Sequence, residues 1–293
     1  MTVSMFKPMT GLLLLVISIG CQVNPETGRN QLVVLSTSRA IELGEKAVPD
    51  FLKDNGGEVP SPAVQQYVSC LGHKLAQQSK GPKLPWQFHV LDSAQLNAFA
   101  LPGGKVCISR GLLSKLDNEA QLAGVLGHEI GHVRAKHIND QMARRQVIGI
   151  AAMAVGVASQ SSDEKWLRAL GVGVSVGGTL YLLKFSREAE HEADQLGVRY
   201  MATCGYNPMA QVQVMRLLQE ENSKSGRQLQ LLSTHPLPKQ RVKQLRAFIK
   251  DQFPNYATSE QFGYHREPFH QAVISNLEKL PPPRHAPKDK GKP

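Results

Sequence analysis

The sequence predicts an α+β fold, mostly α-helical, with a small β-sheet beside one central helix. Three observations predict it. Apolar residues recur at helical spacing over 36–54, 61–80, 187–203, 208–222 and 239–250, the pattern of helices with one buried face. Between two of these segments the period changes, and "WQFHVL" and "KVCISRG" read as strands separated by an "LPGG" turn. The chain has 293 residues, enough for one large domain or two small ones with a core that needs no staples. A bound metal is therefore free to serve function rather than folding.

Near the N-terminus, Lys7 precedes the apolar run "GLLLLVISIG". A run of about ten residues is too short to span a bilayer and fits the core of a secretory signal. Residues 1–20 are therefore expected to direct export. "SIGC" is similar to the bacterial lipobox, which implies a lipid on Cys21, although Ser18 stands where that pattern usually has Leu. The alternative is an ordinary cleaved signal with Cys21 as a bystander. Gln22 after the cysteine, rather than Asp, implies by the same resemblance the periplasmic face of the outer membrane. Cys70, Cys107 and Cys204 remain, an odd count that allows at most one internal disulfide and matches no zinc-ribbon spacing.

After the signal, "NPETGRNQLVVL" is a polar lead-in to a short strand, followed by the helices at 36–54 and 61–80. The central helix is expected over 118–145, with Asn118 as its cap and Gln121 three residues on, close to a capping box. Two apolar stretches rich in Gly and Ala follow at 147–158 and 170–183. Each is shorter than the roughly 18 residues of a membrane span, so both are expected to be close-packed helices. Ser186 and Gly205 bound the helix at 187–203. A domain is expected over 25–254, then an extension over 255–293 with one helix near 267–280 and a tail, "PPPRHAPKDKGKP", of disordered composition. No internal repeat is evident.

Lys and Arg number 34 against 24 Asp and Glu, a net charge of +10. Lys239, Arg241, Lys243, Arg246 and Lys250 share one predicted helix, and Arg284, Lys288, Lys290 and Lys292 decorate the tail. Neither cluster has interleaved aromatics or belongs to a nucleic-acid module, so no nucleic-acid partner is expected. The charge reads as solubility.

The motif "HEIGH" at 128 to 132 lies in the central helix. His128 and His132 fall one turn apart on the same face, so both imidazoles can converge on one ion. Glu129 is rotated about 100° from His128, off the ion but near a water bound to it. That arrangement suits peptide hydrolysis, with the ion acidifying the water and Glu129 as general base. By composition alone this pattern is expected roughly 0.02 times in such a chain. Gly124, Gly127 and Gly131 form a stripe on the same helix. Each costs about 1 kcal/mol relative to Ala, which implies close backbone approach by a neighbour.

A catalytic zinc needs a third protein ligand and an open fourth position. Where one class of metalloproteases has its third histidine stands Ile138; His137 misses that register and reads as a polar histidine on the helix surface. "SREAEHEADQLG" offers instead Glu188, Glu190, Glu192 and Asp194. Glu190 and Asp194 share a helix face, so one can bind the ion while the other holds a ligand histidine through its second ring nitrogen. Spacing alone does not choose among the four acids. The other reading is an acidic face pairing with Arg187 and Arg199.

"HEIGH", "EHEAD" at 190 to 194 and the upstream "NAFALPGG" together resemble the CAAX-prenyl-protease and HtpX family of zinc metallopeptidases, above all its soluble periplasmic branch. The resemblance covers most of the chain after the signal. It implies a zincin-like, gluzincin-type fold with one zinc per chain on His128, His132 and Glu190, and Asp194 in support. Many members of that branch also carry an "HPLP" segment whose His can fill the fourth zinc position and hold the enzyme off. Here that nominates His235, with Arg241 a weaker site candidate. "NAFA", residues Asn97, Ala98, Phe99 and Ala100, fits an edge strand beside the cleft, to which an extended substrate can add by backbone hydrogen bonds. It also fits a plain core strand.

The implied activity is a zinc endopeptidase acting on misfolded or unassembled envelope proteins at the periplasmic face of the outer membrane. Missing the multiple transmembrane helices of the prenyl-protein and HtpX branches, the chain is not expected to take membrane-embedded substrates. Two rivals stand beside this reading. One is a chaperone or assembly factor whose cleft is closed by His235; the other is a basic surface-binding module built on 239–250 and the tail.

Overall fold

A computed structural model describes residues 20–144, 184–226, 228–236 and 239–285. The expected signal up to residue 19, both Gly-rich apolar stretches and the tail beyond His285 lie outside the described residues. Among the described residues, no helix is long and apolar enough to cross a membrane.

The fold is α+β and mostly helical. Strands β1 (Gly20–Val23) and β2 (Asn30–Val33) form an antiparallel hairpin. Helices α1 (Thr37–Asp54) and α2 (Pro62–Ala76) follow, capped by Ser36 and Ser61, whose side chains accept from the N–H groups of Arg39 and Val64. Pro62 sits in the first turn, where its missing N–H has no helical partner to lose.

Strands β3 (Gln87–Leu91), β4 (Ala98–Leu101) and β5 (Lys105–Ser109) form a sheet in the order β3-β5-β4. The middle strand β5 runs parallel to β3 and antiparallel to β4, and all its residues are buried. Gly103 and Gly104 make the turn between β4 and β5 at φ 72° and 88°, which side chains with a Cβ rarely adopt. This leaves β4, the expected "NAFA" strand, at the sheet's edge.

After a short helix α3 (Arg110–Leu113) comes α4 (Glu119–Arg134). Asn118 caps it by accepting from Gln121 N at 3.0 Å, while the Gln121 side chain accepts from Asp117 N rather than from the cap itself. Every residue of α4 from Ala120 to His132 is buried. Its glycine stripe faces α5 (Arg187–Thr203) and α6 (Met209–Ser225). A Cβ on Gly131 would lie 2.9 Å from Ala193 O, and one on Gly124 would lie 3.2 Å from Gln211 Cα, so the close approach implied by three glycines is real. Val64 and Val68 of α2, Val106 and Ile108 of β5, Leu122 and Leu126 of α4 and Met201 of α5 share the main core.

The helix expected over 118–145 comes in two pieces. α4 ends at Arg134, Lys136 turns left-handed at φ 55°, and residues 137–144 are helical again. The N-terminal hairpin causes the break by claiming the end of α4. Asn24 Nδ2 donates to Arg134 O at 2.9 Å, Gln31 Nε2 donates to Ala135 O at 2.5 Å, and Asn139 Oδ1 accepts from Val34 N and Leu35 N, each at 2.9 Å.

A short α7 (Gln230–Thr234) leads to α8 (Lys239–Gln252), whose Leu245 and Ile249 pack on Val198 and Val212. Beyond Pro254, α9 (Arg266–Phe269), a π turn (His270–Ile274) and α10 (Ser275–Glu278) bring Phe269, Val273 and Leu277 into the main core. Pro281 to His285, part of the tail read as disordered, lie against the body, and His285 N donates to Asp92 O at 3.1 Å. All four cysteines are free.

Candidate metal centre

The straight part of α4 puts His128 and His132 on one face, with Nε2 atoms 3.0 Å apart. Close crossing of α4 and α5 at the glycine stripe brings Glu190 under both rings, its Oε1 3.4 Å from His132 Nε2 and its Oε2 3.6 Å from His128 Nε2. His235, just after α7, points Nδ1 at Glu190 Oε1 from 2.9 Å and at His128 Nε2 from 3.4 Å. The donor atoms of His128, His132, Glu190 and His235 all lie within 4.8 Å of one another.

Three imidazoles and one carboxylate are a donor set suited to zinc. Ring nitrogens 3.0 Å apart can share a proton or flank a cation, and the convergence of Glu190 and His235 on the same point favours the cation. The surroundings favour the ligating forms of His132 and Glu190, whereas at His235 burial is outweighed by the charges of Glu190 and Glu129, which raise it from the ordinary histidine value. His128 Nδ1 stands 2.9 Å from Asp194 Oδ1, a charge contact without hydrogen-bond geometry, while its Nε2 faces Glu190 and His235. Asp194 also accepts from Arg241 Nε and Nη2, at 2.6 and 2.7 Å, and from Gln211 Nε2 at 3.0 Å. Arg241 Nη1 meets Glu190 as well.

Burial alone would push Glu190 up, but Arg241 and His235 outweigh it and hold the carboxyl well below the usual carboxylate range. Asp194 is lowered too, because Arg241 and then His128 outweigh its burial. Burial drives His132 well below the ordinary histidine value, which favours its neutral form. Neutral imidazole and ionised carboxylate are what a divalent ion requires. Glu129 is 1% exposed, and its Oε2 has no hydrogen-bond partner among the described residues. Such a group is costly unless something polar comes to it.

The four acids of α5 separate. Glu190 and Asp194 are buried in the cluster, Glu188 is exposed, and Glu192 turns to the other side, where it meets His137 and Arg29. Arg199 lies over the Phe248 ring rather than in an acidic pairing. Arg241, read as one of five basic residues on a helix, is buried against Asp194. Asn97 is buried just ahead of β4, and its O accepts from Ser109 N; Phe99 packs edge-on against Phe51. Ala98 lines an apolar pocket with Leu112, Val125, Met215 and Leu218 beside His128 and Glu129.

Two neighbours escape a reading of the sequence. His137, expected at the surface, is 2% exposed, with Nδ1 2.9 Å from His132 Nδ1. Phe185 stacks on His132 with ring centroids 4.0 Å apart. No local spacing signals either, because both depend on the break after α4 and on where α5 begins.

A buried helix carrying "HEIGH", crossed by a second that brings a glutamate and an aspartate to the same two histidines, defines a metallopeptidase domain. Residues 62–249 match peptidase family M48, and the chain belongs to that family. It is 28% identical to the Beta-barrel assembly-enhancing protease of Escherichia coli (strain K12), over 82% of this chain and 50% of that protein. The Putative beta-barrel assembly-enhancing protease of Vibrio cholerae gives the same three values. With the Mitochondrial metalloendopeptidase OMA1 of Schizosaccharomyces pombe the identity is 29%, over 66% of this chain and 56% of that one. The chain spans about half the length of the curated relatives it matches.

Proposed function

We propose that this chain is a zinc-dependent endopeptidase that hydrolyses peptide bonds of misfolded or unassembled envelope proteins. One observation carries the reading: Glu129 Oε2 is buried and unpartnered beside a converging set of metal-ligand atoms. His128, His132 and Glu190 would hold one zinc, and Asp194 would fix the His128 ring. Zinc bound there would supply a Lewis acid for the scissile carbonyl and acidify water. Glu129 takes the water's proton on its carboxylate and returns it to the leaving amine. Arg241 keeps Asp194 and Glu190 ionised and in place.

Two features support an unfolded substrate. As an edge strand of the described sheet, β4 would accept an extended chain through backbone hydrogen bonds, which do not read side-chain sequence. The pocket beside Ala98 and Glu129 is lined by apolar groups and suits side chains that folded proteins bury. The names of the bacterial relatives favour an envelope role. Lipidation of Cys21, exposed on β1, would tether the domain by its N-terminal hairpin to the periplasmic face of the outer membrane.

The test is digestion of an unfolded protein by the purified chain, wild type against Glu129→Gln. Cleavage by wild type that is lost in the variant supports the reading; cleavage that survives in the variant ends it.

A second reading, a chaperone or assembly factor with a plugged cleft, is favoured by His235. It is 5% exposed and fills the fourth donor position that catalysis requires open. Digestion by His235→Ala separates the two: a gain of activity makes His235 a removable plug, and continued silence favours the chaperone.

A further inference from the structure

The two histidines of "HEIGH" are held differently. His128 has a carboxylate, Asp194, 2.9 Å from its second nitrogen, the kind of neighbour that ligating histidines ordinarily have. Among the described residues, His132 has no carboxylate at Nδ1. Its partner there is another imidazole, His137 Nδ1 at 2.9 Å, whose own Nε2 lies 2.9 Å from Glu192 Oε2. Glu192 in turn pairs with Arg29 Nη2 at 2.9 Å, and the same nitrogen reaches Asp140 Oδ2 at 3.1 Å.

Hydrogen bonding chooses one arrangement of protons for this chain of groups. Glu192 can only accept, so in the neutral ring His137 carries its proton on Nε2 and offers a lone pair at Nδ1. His132 must then carry its proton on Nδ1, leaving the Nε2 lone pair facing the cluster. In the opposite arrangement a lone pair on His137 would face the carboxylate, and a proton on His132 Nε2 would point at the ligand atoms.

His137 reaches this position only because α4 stops. In a continuous helix, a residue five places after His132 would lie about 140° round the axis, facing away. The turn at Ala135 and Lys136, clamped by Asn24 and Gln31, folds the chain back so that residue 137 meets 132. His137 is buried, and Phe185 stacks on His132.

We propose that His137 is a positioning residue of the metal centre: it accepts the Nδ1–H of His132, orients that ring and sets its tautomer, with Glu192 and Arg29 holding His137. The inference rests on the reading of His132 as a metal ligand. It ties the N-terminal hairpin to the metal site, since Arg29, Asn24 and Gln31 all belong to that hairpin or its turn.

The experiment is zinc affinity of the full chain, by competition with a chromophoric chelator, for wild type, His137→Leu, His137→Asn and Glu192→Gln. Thermal unfolding of each metal-free protein and the absorption spectrum of each cobalt-substituted protein are recorded alongside. His137→Leu keeps the bulk but removes the acceptor, and is expected to lose about 10–100-fold in zinc affinity and to alter the cobalt spectrum. Asn places its oxygen where Nδ1 stands, so His137→Asn is expected to stay close to wild type in both. Glu192→Gln is expected to fall between them.

Wild-type affinity and spectrum in His137→Leu overturn the inference. So does an equal loss in the Leu and Asn variants that follows a lowered unfolding temperature of the metal-free chain, which would make His137 merely structural. If wild type binds no zinc, the metal-centre reading itself fails and takes this inference with it; tight binding by wild type isolates the question to His137.

Discussion

Gly127 and Gly197 put the backbones of α4 and α5 in direct contact: a Cβ on Gly197 would stand 2.8 Å from His128 N and 2.9 Å from Gly127 C. The obstructing atoms are backbone, which cannot swing aside. Gly197→Ala is therefore expected to separate the helix that carries His128 from the one that carries Glu190 and Asp194. Overpacking of this kind costs about 1–3 kcal/mol. The check is the urea midpoint together with bound zinc per chain after dialysis; an unchanged midpoint with full metal content would remove the argument that this contact sets the site.

Among the described residues, Arg241 is the arginine or lysine bonded to Asp194, and it also meets Glu190. Removing one partner from a buried ionic group costs about 3–5 kcal/mol, because the charge left behind is uncompensated. Arg241→Leu is expected to destabilise the metal-free chain by that order and to weaken zinc binding. Added zinc should recover part of the stability, since a divalent ion restores positive charge beside Glu190. Thermal unfolding with and without zinc measures both effects, and a variant as stable as wild type without metal would contradict them.

What the sequence made legible follows from which contacts are local. His128, Glu129 and His132 are related by helix geometry alone, so their convergence can be read from three letters and a spacing. Glu190 and Asp194 could be read as a pair on one face, but choosing them over Glu188 and Glu192 needs the angle at which α5 crosses α4. That crossing is set by glycines on both helices. Arg241 was nominated only by the resemblance, as a weaker candidate, because by spacing alone it sits among four other basic residues and its partner lies 47 residues away. His137 was misplaced at the surface because its register assumes a continuous helix. The break is imposed by side chains such as Gln31, 104 residues earlier in the chain.

Lys136 carries the left-handed turn at that break, with φ 55°. For a residue with a Cβ this conformation costs roughly 1–2 kcal/mol. Glycine avoids that cost but loses about 0.5–1 kcal/mol through the greater freedom of its unfolded chain. Lys136→Gly is therefore expected to stabilise by up to about 1 kcal/mol, and Lys136→Val, branched at Cβ, to destabilise. Unfolding midpoints of the two variants decide it, and the reverse order would mean that the left-handed backbone of Lys136 costs nothing at this turn.

Far from the metal centre, Asp92 anchors the C-terminal segment. It accepts from Arg110 Nη1 at 3.1 Å and Arg284 Nε at 2.8 Å, while Arg110 also donates to the carbonyls of Leu277 and Pro281. Burial would raise the Asp92 carboxyl, but Arg284 and Arg110 outweigh it and lower it from the ordinary 3.8. A carboxyl lowered on folding stabilises at pH above its unfolded value, and the contribution is lost as pH falls through the folded one. The stability difference between wild type and Asp92→Asn is thus expected to be full near neutrality, to begin shrinking below about pH 4, and to continue shrinking as the folded carboxyl protonates. Urea midpoints across a pH series test this, read with the rate at which a protease trims the C-terminal segment. A difference that stays constant with pH would show that Asp92 acts through shape alone; one that shrinks while trimming speeds up would identify the Asp92 charge as what holds that segment down.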